Sequence, residues 1–346
     1  MLDPDALAPF LASELGLTGP VAVTPFGGGY SNLTDRVTVG DATVVVRRPP
    51  PGADVRGGHD VVREARILQA VAGRVPVPRV LAVEETGAVL GVPFSVSEFV
   101  DGPILRGTTR VRPDAATMDA VADALVGTMV RLHALDAAPF AAFGRPAAEG
   151  GGYVARQVAG WTRRYAAART ETVPDLERAL AWMAGHAPPD AGTALVHNDL
   201  KHDNVILAGL GEAGSGASVT VRAVLDWELA TVGDPLMDVG STLGYWTEPD
   251  DPPALLALAP SPTAWPGSPG RAEIVRRYAE ASGRDVPHAV FYAVYGHVKL
   301  AVIAQQIYKR WTLGHARDPR FEHLNLAVAA CGAAAVRAVD TGRVSP

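Results

Sequence analysis

The stretch LVHNDLKHDNVIL, residues 195–207, sets His197, Asp199, Lys201, His202, Asp203 and Asn204 between two apolar runs. Desolvating a charged group costs several kcal/mol unless the group is paired or employed, so the segment is either an unusual surface loop or an active site. ALV leads into His197 and VILAG leaves Asn204 as a second short strand. A Gly/Ser-rich loop at 209–218 follows, then SVTVRAVLDWE, a strand ending at Asp226. Two strands joined in this way would bring His197–Asn204 and Asp226 to one end of a small ribbon. Such a set suits a reaction in which metal holds a polyphosphate and a hydroxyl is activated. One carboxylate orients the hydroxyl or takes its proton, while an amide oxygen and a second carboxylate hold Mg²⁺, a hard cation that prefers oxygen ligands.

The elements that must position these residues fall into two groups. Residues 21–46 read as strands, with RVTV and TVVVR turning at Gly40-Asp41. Before them PFGGGYSNLT places Gly27, Gly28 and Gly29 ahead of Ser31 and Asn32, a loop whose backbone can approach a phosphate or simply flex. No Gly-Lys-Ser/Thr follows, so it is not a Walker loop, and a strand rather than a helix follows the glycines, unlike a dinucleotide fingerprint. A helix is expected over DVVREARILQAVAG, capped by Asp60 and Gly73, with Val61, Ala65, Leu68 and Ala72 on one face. Glu64 shares that face and needs either solvent or a cation, the nearest being Arg47 and Arg48. A strand is expected in VPFSVSEFVDG, a linker from Pro103 to Pro113, and helices over Met118–Leu135, Trp161–Met183 and beyond Arg271.

Composition narrows the function. The 346 residues are 48% hydrophobic and 20% charged, a globular balance. A formal charge of −6 gives no general basic field, which argues against nucleic acid as a partner. Cys331 is the only cysteine, which excludes an internal disulfide and a cysteine-based zinc cluster. The chain opens on no secretory leader, and no uninterrupted apolar run reaches the ~18 residues of a membrane span, so the expected place is the cytoplasm, without a membrane partner. Lysine occurs only at 201, 299 and 309.

His197-Asn198-Asp199-Leu200 with Asn204 fits the kinase catalytic-loop pattern H-x-D-L-x-x-x-N. Together with AVLDWELATVGDPLMDVG it resembles the aminoglycoside phosphotransferase family. FGGGYSNLT, VVRRPP, VVREARIL and PFSVSEFVDG, in that order, resemble a branch related to the kinase-like domain of some acyl-CoA dehydrogenase fusion proteins. The resemblance implies an α+β, two-lobed protein-kinase-like fold, with a strand-rich N-lobe over 1–102 and a mainly helical C-lobe over 103–346. It implies ATP and Mg²⁺ as cofactors, Asp199 as catalytic base, and Asn204 and Asp226 as Mg²⁺ ligands. Gly27 to Ser31, with Asn32, would cover the phosphates, and Glu98 and Val100 would form the hinge that meets adenine through backbone groups. His197 would support the catalytic loop, Asp238 would brace it from a helix start, and Lys201 would stand near the transferred phosphate or face solvent. The strand lysine of related kinases must here be arginine; Arg47 is taken for that place with Glu64 as its partner, a change that keeps the charge and alters the reach. Asn198 stands where the family usually has glycine.

The segment YGHVKLAVIAQQIYKRWTLGHARDPR carries Lys299, Lys309, Arg310, Arg317 and Arg320 against Asp318. If it lines the acceptor site, a neutral or anionic small-molecule hydroxyl acceptor fits better than a polycation; as a solvated face it says nothing of the acceptor. The related branch points to hydroxylated acyl compounds. The expected activity is therefore ATP- and Mg²⁺-dependent phosphoryl transfer to a hydroxyl. Competing readings are a protein kinase, disfavoured by the missing Ala-Pro-Glu segment after Asp226, a nucleotide-binding pseudokinase acting as a regulator, and a metal-dependent hydrolase, for which His197 and His202 lack an HExxH helix.

Overall fold

The computed structural model describes residues 2–26, 32–50, 59–110, 112–144, 151–210, 219–258, 261–316 and 318–345. The chain divides into two compact units, Met1–Gly102 with Arg222–Ala230, and Pro103–Val221 with Thr231–Pro346. The boundary expected after residue 102 therefore misses one piece: residues 222–230, which carry Asp226, belong with the first unit.

In the first unit the helix α1 (Pro4–Leu15) precedes strands β1 (Val21–Pro25), β2 (Leu33–Val39) and β3 (Ala42–Arg48). Helix α2 (Val61–Val71) and strands β4 (Val80–Glu84) and β5 (Phe94–Glu98) complete an antiparallel sheet of order β1-β2-β3-β5-β4. The β2–β3 hairpin turns through Gly40, at φ 56°, and Asp41, which places Val39 opposite Ala42 and Thr34 opposite Arg47. Side chains alternate along a strand, so Val44 and Val46 share a core with Leu7, Leu11, Val37, Phe94 and Val96, whereas Arg47 points to the opposite face. There it meets Glu64 of α2. Asp60 caps that helix, accepting the Arg63 N–H at 2.9 Å.

In the second unit α3 (Ala115–His133), α4 (Tyr153–Ala168) and α5 (Pro174–His186) lead to β6 (Ala194–Val196) and β7 (Val205–Ala208). The helix expected over 161–183 is thus two helices, broken ahead of Pro174, whose ring is accommodated only in a first turn. Residues 211–218 of the loop expected before the Asp226 strand lie outside the described residues. Strand β8 (Thr220–Val224) carries the chain toward Asp226, and β9 (Thr231–Gly233) pairs antiparallel with β6, Leu195 opposite Val232.

Then come α6 (Pro235–Tyr245), α7 (Pro253–Leu258), α8 (Arg271–Ser282), α9 (Ala289–Thr312) and α10 (Leu324–Thr341). Every residue of α6 is buried, so it shows no amphipathic stripe. Residues 319–341 are long and apolar enough to span a membrane by length and composition, although polar residues interrupt the run; half of the most apolar window is buried, and α10 packs on α9 and α5.

Candidate active site

Each unit holds one cluster of the expected site residues. In the first, the Arg47 guanidinium is the hub. Its Nε donates to Glu64 Oε2 at 2.7 Å and an NH group to Thr34 Oγ1 at 3.2 Å. The remaining terminal nitrogen donates to Asp226 and to Glu228 Oε2 at 3.3 Å. Burial alone would lower the Arg47 pKa, but Glu64, Asp226 and Glu228 outweigh it and hold it raised. Burial pushes Glu64 up from the ordinary carboxylate range, against the pull of Arg47. Glu64 Oε1 also accepts the Trp227 N–H at 3.0 Å, so one carboxylate ties α2 to the strand arginine and to the Asp226-Trp227-Glu228 segment. Asp226 itself is left-handed, at φ 64°. Asn32 donates to Glu228 Oε2 at 2.9 Å, with His59 Nδ1 lying 3.2 Å from its amide oxygen.

Arg48 faces the core and pairs with Asp35 at 3.5 Å. The expectation that Arg47, not Arg48, meets Glu64 agrees with this strand parity. Gly27, Gly28, Gly29 and Ser31 lie outside the described residues. At the end of β5 the Glu98 N–H donates to the Arg79 carbonyl at 2.9 Å, so a backbone contact from this residue to a ligand would come from its carbonyl. Val100 follows the strand, half-buried.

In the second unit the loop between β6 and β7 presents Asp199. Its Oδ2 accepts from Lys201 Nζ at 2.7 Å and from Asn204 Nδ2 at 2.9 Å. Asn204 also donates to the Asp199 carbonyl at 2.8 Å, turning its amide oxygen to the other side. Burial works to raise the Asp199 pKa, and Lys201 and Lys299 outweigh it, so the carboxylate titrates below its ordinary range. Lys201 also lies 4.5 Å from the centroid of the Tyr245 ring.

The loop is braced from α6. Asp238 accepts the N–H groups of His197 and Asn198, both at 2.7 Å, and Thr242 donates to the Leu200 carbonyl at 2.8 Å. His197 is fully buried and accepts the Asp199 N–H through Nδ1 at 3.2 Å, a supporting place within the loop. Asn198 is left-handed at φ 64°, a conformation that glycine takes freely and asparagine tolerates. Its side-chain oxygen accepts from Tyr153 at 3.1 Å.

Sequence reasoning missed His133, whose Nε2 lies 3.1 Å from Asp238 and whose Nδ1 lies 2.8 Å from the Tyr278 hydroxyl. It also missed the role of Glu228, although D-W-E was in view. The cationic segment expected to line an acceptor site does not stand together: Lys299 is interior at 2% exposure, Lys309 donates to the Ala167 carbonyl at 2.6 Å, and Arg320 pairs with Asp318 at 2.6 Å. Arg317 lies outside the described residues. Among the described residues no group of three or more His, Cys, Asp or Glu side chains is arranged to hold a metal.

The fold matches that of known phosphotransferases. A solved Ralstonia eutropha protein, provisionally described as an aminoglycoside phosphotransferase, superposes with TM-score 0.77 at 28% identity, covering 97% of this chain and 99% of that one. Aminoglycoside phosphotransferase APH(4)-Ia, solved as a ternary complex with AMP-PNP and hygromycin B, superposes with TM-score 0.60 at 19% identity, covering 96% of this chain and 98% of that one, a likeness of fold. Acyl-CoA dehydrogenase family member 10 of Mus musculus is 34% identical over 319 residues, 90% of this chain and 29% of that protein. This chain therefore spans about a third of that relative's length. The model of the phosphotransferase enzyme family matches residues 22–274, and the chain belongs to that family. It has the α+β protein-kinase-like fold of these phosphotransferases.

Proposed function

We propose that the protein transfers the γ-phosphoryl group of ATP, with Mg²⁺, to the hydroxyl of an acyl compound, with Asp199 as the residue that meets that hydroxyl. The observation that carries this reading is the state of Asp199. One of its oxygens is fixed by Lys201 and Asn204, and its charge is held by two ammonium groups. A fixed, ionised carboxylate of low basicity suits a loose phosphoryl-transfer transition state, in which the hydroxyl needs orientation first and gives up its proton late.

Asn204 of the second unit and Asp226 of the first each offer an oxygen donor that suits the metal. Asn204 spends its amide nitrogen on Asp199, which leaves an oxygen donor, and Asp226 bonds Arg47 through Oδ1, which leaves Oδ2 to meet a cation. These are hard oxygen donors, and two protein ligands supplemented by phosphate oxygens are the usual lot of Mg²⁺. Bound there, the ion would neutralise phosphate charge. Arg47 and Asn32 serve the nucleotide phosphates in this reading, with Gly27–Ser31, and Glu98 and Val100 the adenine. ATP is supported by the nucleotide analogue in the APH(4)-Ia complex. An acyl acceptor is supported by the relative named as an acyl-CoA dehydrogenase.

The test is ADP release with Mg²⁺-ATP across hydroxyacyl-CoA thioesters, free hydroxy acids, sugars, amino alcohols and aminoglycosides, with Asp199→Asn alongside. Release stimulated by a hydroxyacyl compound and lost in the variant is expected. Stimulation by aminoglycosides alone would overturn the acceptor, and stimulation by none of them would favour a nucleotide-binding regulator.

A further inference from the structure

One charged side chain of the second unit bears on this site from outside its loop. Lys299 lies midway along α9 between Val298 and Leu300, at 2% exposure. An ammonium group at that depth costs several kcal/mol unless hydrogen bonds and counter-charge offset the loss of water. Its Nζ donates to the backbone carbonyl of Asn198 and to Ser241 Oγ at 3.1 Å, and lies 6.0 Å from the centroid of the Trp161 ring. Ser241 gives its own proton to the Met237 carbonyl at 3.0 Å, so its lone pairs are what Lys299 meets.

The carbonyl that Lys299 holds belongs to the left-handed residue directly before Asp199. Asp238 takes the N–H groups on the other edge of the same turn. Two helices thus grip one turn, α6 through its N–H groups and α9 through its carbonyl. The helices come close enough because they cross on glycine: a Cβ at Gly296 of α9 would collide with the carbonyl of Gly240, and one at Gly244 with the carbonyl of Gly296. Lys299 stands three residues beyond Gly296, on the same helix face.

We propose that Lys299 is a positioning residue for Asp199: from beneath the loop it fixes, through the Asn198 carbonyl, the left-handed turn that presents Asp199. This rests on the reading of Asp199 given above. Lys201 of the loop and Tyr245 of α6 also act on Asp199, and it faces Lys299 from α9; Asp203 feels it in turn. Lys299 itself faces Asp199, Asp238 of α6, Lys201 and Arg164 of α4, and burial lowers it to about 8, so it is mostly charged at neutral pH.

Lys299→Met removes donor and charge, and Lys299→Gln keeps an N–H donor without the charge. With the acceptor found in the panel, we expect kcat of Lys299→Met to fall about 100-fold, the scale of a misplaced catalytic group, while KM for ATP stays within about twofold. In Lys299→Gln, whose shorter amide reaches the Asn198 carbonyl less well, kcat falls by about tenfold with KM for ATP likewise unchanged. Wild-type kcat in Lys299→Met would overturn the proposal. If Lys299→Met does not fold, Lys299→Gln decides, and wild-type kcat there overturns it. Asp199→Asn separates the two claims: if that variant keeps wild-type kcat, the reading of Asp199 fails and takes the proposal with it.

Discussion

At residue 198 the backbone is left-handed, and the side chain there is asparagine. A β-carbon in that conformation costs about 1–2 kcal/mol for most residues, and asparagine pays less because its short amide bonds locally, here to Tyr153. We expect Asn198→Ala to lose at least that much stability and to lower kcat, since Asp199 hangs on the same turn; Asn198→Ala with wild-type thermal midpoint and kcat would show that the turn is not under this constraint. Arg47 makes the corresponding point in the first unit. Glu64→Gln keeps the shape of the side chain but leaves the guanidinium with one fewer buried counter-charge. About a tenfold rise in KM for ATP is expected, and an unchanged KM would remove Arg47 from the nucleotide site. Two buried histidines give the pH dependence. Burial pushes His202 down to about 4 and His297 well below its ordinary value, and both are about 1% exposed. Each therefore folds neutral, and its stability is fully present above the unfolded pKa of about 6.5. That stability is lost at about 1.4 kcal/mol per pH unit as pH falls from there towards the folded value. The thermal midpoint should drop by several degrees between pH 7.5 and 5.5; an unchanged midpoint would mean that one of these rings takes up a proton without penalty.

At the scale of elements, the crossing of α6 and α9 decides where the catalytic loop sits. Gly296→Ala would force the helices apart, and overpacking of this kind costs about 1–3 kcal/mol. It should also lower kcat, because Lys299 moves with α9. Leu11→Ala, in the core of the first unit, is expected to cost about 2–5 kcal/mol with kcat at low temperature little changed. Equal stability loss and equal kcat in the two variants would sever the crossing from the loop. How much of this was legible in the sequence varies with the distance over which the information acts. The Gly40-Asp41 hairpin, the Asp60 cap and the H-x-D-L-x-x-x-N loop are local patterns, and the alternation of β3 alone suffices to place Arg47 and Arg48 on opposite faces. Helix α6 left no periodic signal because it is buried on every side. His133 and Lys299 lie far along the chain from the loop residues they serve, and nothing local marks a histidine or lysine in an apolar helix as a partner of residues 197–199. Lysine's rarity in this chain, with one of three set among Val298 and Leu300, is the signal that could have found Lys299.

At the scale of the whole molecule, the chain belongs to the phosphotransferase enzyme family, and in the function proposed above Asp199 carries the transfer. The relative from Mus musculus is more than three times as long as the aligned segment, and the acyl acceptor proposed above is tested by the panel given there. The most direct test of the account is to measure ATP affinity and phosphoryl transfer side by side in wild type and Asp199→Asn, by calorimetry and by phosphorus NMR of the product. The account predicts ATP binding within about threefold of wild type and a transfer rate lower by about 1000-fold or more, a difference of about 4 kcal/mol confined to the transition state. Transfer at the wild-type rate in Asp199→Asn would contradict it.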